Sequence, residues 1–135
     1  MLRFTLLTAA AFAATAASPN PTRAADEGKG FLGSWTAEVD NFKAVWNISQ
    51  SVNGKWRVAA SYYDSKGKPH GGFEGKDYKL EGGKLTFTQV WTKKPRSTWH
   101  DNATITLTLE DADTLKEAWH AGDHKGHREL KRVKK

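Results

Sequence analysis

Apolar and polar residues alternate along most of this chain with a period of two. Leu85, Phe87, Gln89 and Trp91 fall on one face of a run whose other face carries Thr86, Thr88 and Val90. Ile105, Leu107 and Leu109 alternate with Thr104, Thr106 and Thr108 in the same way. So do Trp56, Val58, Ala60 and Tyr62 with Arg57, Ala59, Ser61 and Tyr63. Successive side chains of an extended strand point to opposite faces, so this pattern predicts strands with one buried face. No long segment carries the period of an amphipathic helix.

Turn residues punctuate these runs at short intervals: Asp40-Asn41, Asn53-Gly54, Asp64-Ser65-Lys66-Gly67, Glu81-Gly82-Gly83, Asp111-Ala112-Asp113 and the stretch 122–126. Asn-Gly between apolar runs is a strong hairpin signal. Lys94-Pro95-Arg96 opens a longer loop, 93–102. Eight strands are predicted between the turns, near 32–39, 43–51, 55–63, 72–80, 84–92, 103–109, 114–120 and 127–133. Strands joined in sequence order by tight turns form an antiparallel meander. Eight of them close into a barrel whose interior holds packed side chains or one small ligand. The expected fold is all-β, an eight-stranded antiparallel up-and-down meander barrel. A two-sheet sandwich, the alternative, more often needs several long connections.

The first residues stand apart from this pattern. Arg3, the apolar or small run 4–17 and the proline-broken polar stretch 18–24 together read as a secretory signal peptide. The apolar run is shorter than the about 20 residues that span a bilayer, so no membrane span is expected. Cleavage is placed after Ala24, with Ala14-Thr15-Ala16 a second site. The expected organisation is a leader over 1–24 and one barrel domain over 25–135, in a secreted or periplasmic protein.

The chain has no cysteine. That excludes thiolate catalysis, a cysteine zinc site and disulfide staples, and leaves stability to an apolar and aromatic core. The formal net charge is +6. Arg3 and Arg23 fall in the leader, and much of the remaining basic excess lies in 125–135. Such a run protects a strand edge from pairing, or contacts an acidic partner.

Gly33-Ser34-Trp35 opens the first strand. A Gly-x-Trp there, followed by a short eight-strand meander, resembles the calycin group of lipocalins, fatty-acid-binding proteins and avidins. The resemblance implies a lipocalin-like barrel in which Trp35 closes one end. It implies that Gly33 lets the backbone pack tightly there, and that a basic residue of the last strand lies across the Trp35 ring. Arg132 fits that role, Arg128 less well. The chain is shorter than most lipocalins and lacks their cysteines and C-terminal helix. The polar contacts of an avidin to biotin are not matched.

Aromatics supply the candidate chemistry. Trp46, Trp56, Tyr62, Phe87, Trp91 and Trp119 share the inner parity of their strands, with Gln89 as a polar companion. Aromatic walls with a few polar groups are typical of a small-molecule site. The alternative is that the rings fill the barrel. His120, His124 and His127 are candidate metal ligands, but strand alternation and the intervening turn separate them, so neither a metal nor another cofactor is expected. Glu117 points inward beside Trp119, where burial raises a carboxyl pKa. No nucleophile elbow, phosphate loop or histidine–glutamate metal motif is present. Asn47-Ile48-Ser49 and Asn102-Ala103-Thr104 match glycosylation acceptors, relevant only in a eukaryotic host.

The sequence therefore reads as an exported, non-enzymatic binding protein for a small, partly apolar ligand. The alternative is a protein-binding or inhibitor-type module that uses the basic C-terminal edge and Lys93-Lys94-Pro95-Arg96, its interior simply packed. Export argues against a nucleic-acid partner.

Overall fold

A computed structural model describes residues 28–134 of the chain. The expected leader lies outside the described residues. Those described form β1 (Gly33–Val39), β2 (Phe42–Gln50), β3 (Trp56–Tyr63), β4 (Pro69–Glu81), β5 (Lys84–Lys93), β6 (Ala103–Asp111), β7 (Thr114–Ala121) and β8 (His124–Arg132). The strands neighbour one another in sequence order and close into one antiparallel barrel. The all-β up-and-down meander expected from the alternation is the fold. Among the described residues no helix is long and apolar enough to cross a membrane.

Two strands differ from the sequence reading by three residues at one end, the others by one or two. β4 runs from Pro69 to Glu81, longer than 72–80. β8 begins at His124 because the ladder continues through His120↔Lys125 and Ala121↔His124. The expected five-residue turn 122–126 shrinks to Gly122-Asp123. Gly122 takes a positive φ of 63°, which favours glycine at a tight hairpin turn.

Closure rests on a short seam. β1 meets β8 through Trp35↔Arg132 and Thr36↔Lys131, and the Val133 amide donates to the Ser34 carbonyl at 2.9 Å. Next to this seam one barrel end is plugged. The turn 28–32 folds beneath it, with the Phe31 amide donating to Gly28 O and the Leu32 amide to Lys29 O, each at 3.1 Å. Trp35 is fully buried and donates its indole N–H to Phe31 O at 2.9 Å.

The barrel's middle is filled by rings. Trp46 meets Phe73 edge-on at 5.1 Å between centroids and Phe87 at 6.3 Å. β4 bulges between Lys76 and Lys79, where Asp77 adopts a φ of 56°. That places the Tyr78 hydroxyl where it accepts the Val58 amide at 2.8 Å, past the last β3–β4 pair, Ala59↔Glu74. A backbone donor left over by the parting strands is thereby satisfied.

Candidate functional site

Filling stops short of the other end. There the β1–β2 tip at Val39 and Asp40 and the loop 94–102 border a cavity of about 210 Å³ that opens partly to solvent. Its walls are inward-facing strand residues: Tyr62 from β3, Gln89 and Trp91 from β5, Ala103 from β6, Glu117 and Trp119 from β7, and Arg128 from β8. Loop residues Trp99 and His100 complete it.

Four of the seven residues proposed as ligand contacts line this cavity: Tyr62, Gln89, Trp91 and Trp119. The other three do not. Trp46 and Phe87 are each 1% exposed and pack in the filled middle. Trp56 lies at the plugged end, edge-on to Phe31 at 6.3 Å. All seven share the inner parity, but only those nearest the open end reach the cavity.

The loop 94–102 is pinned over the mouth. The Trp91 indole N–H donates to His100 O at 2.9 Å and Asp101 O at 3.3 Å. Lys94 Nζ donates to Trp99 O and to Asp101 Oδ1, each at 3.0 Å. Trp99 is held among three rings, 5.5 Å from Tyr62, 5.8 Å from Trp91 and 5.8 Å from Phe42. Arg96 lies over the Phe42 ring and donates to Asp40 O at 3.4 Å.

The histidines split. His120 and His127 are exposed and face outward, whereas His124 stacks on His100 at 4.2 Å beside Trp119. Among the described residues no group of three or more metal-ligating side chains comes together.

The polar centre of the cavity is Glu117. It is 2% exposed, and its Oε1 has no hydrogen-bond partner. Arg128 Nε stands 3.6 Å from that oxygen, close enough for an ion pair and too far for a good hydrogen bond. Burial pushes the Glu117 pKa up to about 7, with the Arg128 charge pulling against it. Burial also raises the Tyr62 phenol well above its ordinary range, as does the Glu117 charge, while Arg128 opposes both. Tyr62 therefore remains a neutral donor.

The parity of β8 with Leu130 turned inward could have brought Arg128 to the interior. Trp99 and His100 sit in a loop with no periodicity, so the strand alternation carried no signal for them.

A wider depression outside the barrel involves Asp64, His70 and Arg96. Asp64, His70 and Arg96 are each engaged within the protein. Asp64 Oδ1 accepts the Lys68 and Lys66 amides, each at 2.9 Å, and Oδ2 lies 2.8 Å from His70 Nε2. These bonds, the Lys68 amide first, hold the Asp64 carboxyl below its usual pKa.

Much of the basic C-terminal edge is also engaged within the protein. Arg128 faces Glu117, Arg132 covers Trp35, Lys131 bonds Thr114, and Lys134 pairs with Asp113. Compared with known proteins, the chain matches no family model, no curated protein and no solved structure.

Proposed function

We propose that this protein is an exported binding protein of calycin-like architecture that holds one small, flat, partly apolar molecule at the open end of its barrel. One observation carries the reading. A barrel otherwise filled by rings keeps a cavity of about 210 Å³, walled by Tyr62, Trp91 and Trp119 and furnished with the polar groups of Gln89, Glu117 and Arg128.

Its size selects the ligand class. A dry cavity of about 150 Å³ admits one benzene molecule. Sites for drug-sized ligands run from about 300 Å³ upward. The site suits one ring with a small substituent, and is too small to enclose a long acyl chain. The rival reading, a protein-binding module with a basic outer edge, loses support because Arg96, Arg128, Arg132 and Lys131 are used within the fold.

Native mass spectrometry of protein purified from its own host tests the proposal. A co-purifying molecule of single-ring size supports it. A clean apo mass, together with salt-sensitive capture of one protein partner, refutes it and promotes the rival.

A second reading has an observation behind it. A carboxyl with a pKa near 7 inside an accessible cavity is suited to taking a proton from a bound substrate. Under that reading Glu117→Gln abolishes conversion of the co-purified molecule while leaving its uptake intact. Under the binding reading no conversion occurs in either protein.

A further inference from the structure

The inference rests on the ligand-binding reading above and concerns the polar edge of the ligand. Glu117 Oε1 is buried, lines the cavity wall and has no hydrogen-bond partner. Buried acceptors in folded proteins are nearly always paired, so an orphan facing a cavity points to a donor brought by a ligand.

The groups around it complete a pattern. Arg128 makes its ion pair with Glu117 at 3.6 Å and donates no hydrogen bond to the protein among the described residues, so its guanidinium keeps donors for a guest. Gln89, 7% exposed, lines the same wall and offers both an amide N–H and a carbonyl. The site thus sets an acceptor beside donors.

Charge decides between ligand classes. Above about pH 7 Glu117 is ionised, and it and Arg128 form a pair with no net charge. A cationic guest would leave one positive charge uncompensated in a site walled by rings. An anionic guest would leave a negative one unless Glu117 first took up a proton. Uncompensated buried charge is strongly unfavourable. A neutral guest that carries a donor next to an acceptor meets both groups without disturbing the balance.

We propose that the cavity takes a neutral, flat, single-ring molecule of the carboxamide or lactam class. Its N–H donates to Glu117 Oε1, and its carbonyl accepts from the Arg128 guanidinium. Trp91 and Trp119, contributed by different strands, provide the aromatic walls against which the ring packs.

Four probes of nearly equal size test this on the intact protein at mildly alkaline pH: benzamide, benzoate, benzylammonium and toluene, each followed by calorimetry. Benzamide is expected to bind tightest, about tenfold better than toluene, because two charge-assisted hydrogen bonds are added to the same ring burial. Glu117→Leu is expected to remove that preference, with thermal unfolding of the variant as the check on its fold. Should that variant not fold, Arg128→Met, at a partly exposed position, is expected to weaken benzamide about tenfold.

Equal affinity for toluene and benzamide would overturn the proposed polar edge and leave the cavity reading standing. Tightest binding of benzylammonium overturns it in favour of Glu117 as a simple counter-ion. Tightest binding of benzoate with proton uptake overturns it in favour of an acid ligand. Failure of all four probes defeats the ligand-binding reading beneath it.

Discussion

Arg132 lies over the indole of Trp35, its guanidinium carbon 4.2 Å from the ring centroid. The same side chain donates to Leu32 O at 2.7 Å, Gly30 O at 2.8 Å and Ala112 O at 2.9 Å. One planar cation thus covers the ring and ties two chain segments across the barrel seam. A guanidinium over an indole contributes about 0.5–2 kcal/mol, so the fork of hydrogen bonds matters at least as much as the ring contact.

Lysine keeps the charge at that position but loses the fork. Arg132→Lys is therefore expected to destabilise by about 1–3 kcal/mol. Trp35→Ala should remove about 3–5 kcal/mol, as for other buried aromatics. Urea unfolding with unchanged m-values measures both. An Arg132→Lys midpoint equal to that of the parent protein would show that the three carbonyls contribute nothing.

Glu117 makes stability depend on pH in a direction that can be worked out. Its folded pKa, about 7, lies above its ordinary value of 4.5. Between those two values the native state holds a proton that the unfolded chain has released. Stability from this group is therefore full below about 4.5, falls as pH rises through the window, and is level above about 7. The change is on the order of 3 kcal/mol. Glu117→Gln lacks this step. The stability of the parent minus that of the variant, followed by thermal unfolding across the window, is expected to fall by that amount, and a flat difference refutes the assignment.

Gly126 and Trp119 face each other across β7 and β8. A Cβ at residue 126 would stand 2.7 Å from atoms of the Trp119 indole. Gly126→Ala is expected to push that ring from its seat and weaken ligand probes about tenfold, at a stability loss of about 1–3 kcal/mol. Probe titration beside urea unfolding separates the two effects. Unchanged probe affinity would mean that Trp119 is not a wall of the site.

Trp91→Phe keeps an aromatic ring beside Tyr62, which lies 5.7 Å away. It removes the indole N–H that pins His100 O and Asp101 O. Global stability should change by only about 0.5–1.5 kcal/mol. The amides of loop 94–102 should exchange faster, and probe association and dissociation should both speed up. Hydrogen-exchange mass spectrometry and stopped-flow fluorescence report these, and an unaltered loop would show that its closure does not depend on Trp91.

Much of this was legible in the chain itself. Strict alternation over β5 and β6 identifies the inward residues, because a strand side chain has two directions to choose from. Tight turns such as Asp40-Asn41, both at positive φ, order the strands into a meander. The pattern also turns Glu117 inward beside Trp119.

Depth along the barrel was not legible. Trp46 and Tyr62 share a parity, yet one packs in the middle while the other walls the cavity. Arg128 and Arg132, four positions apart on β8, face the same interior. One meets Glu117 near the open end, and the other covers Trp35 at the plugged end. Period two reports which face a residue takes, but its height depends on strand tilt, on register, and on breaks such as those at Ser61/Tyr63 and Lys76/Lys79. Those are set only when all eight strands pair and close, so local sequence chose the lining of the barrel, and closure chose which part of that lining became a site.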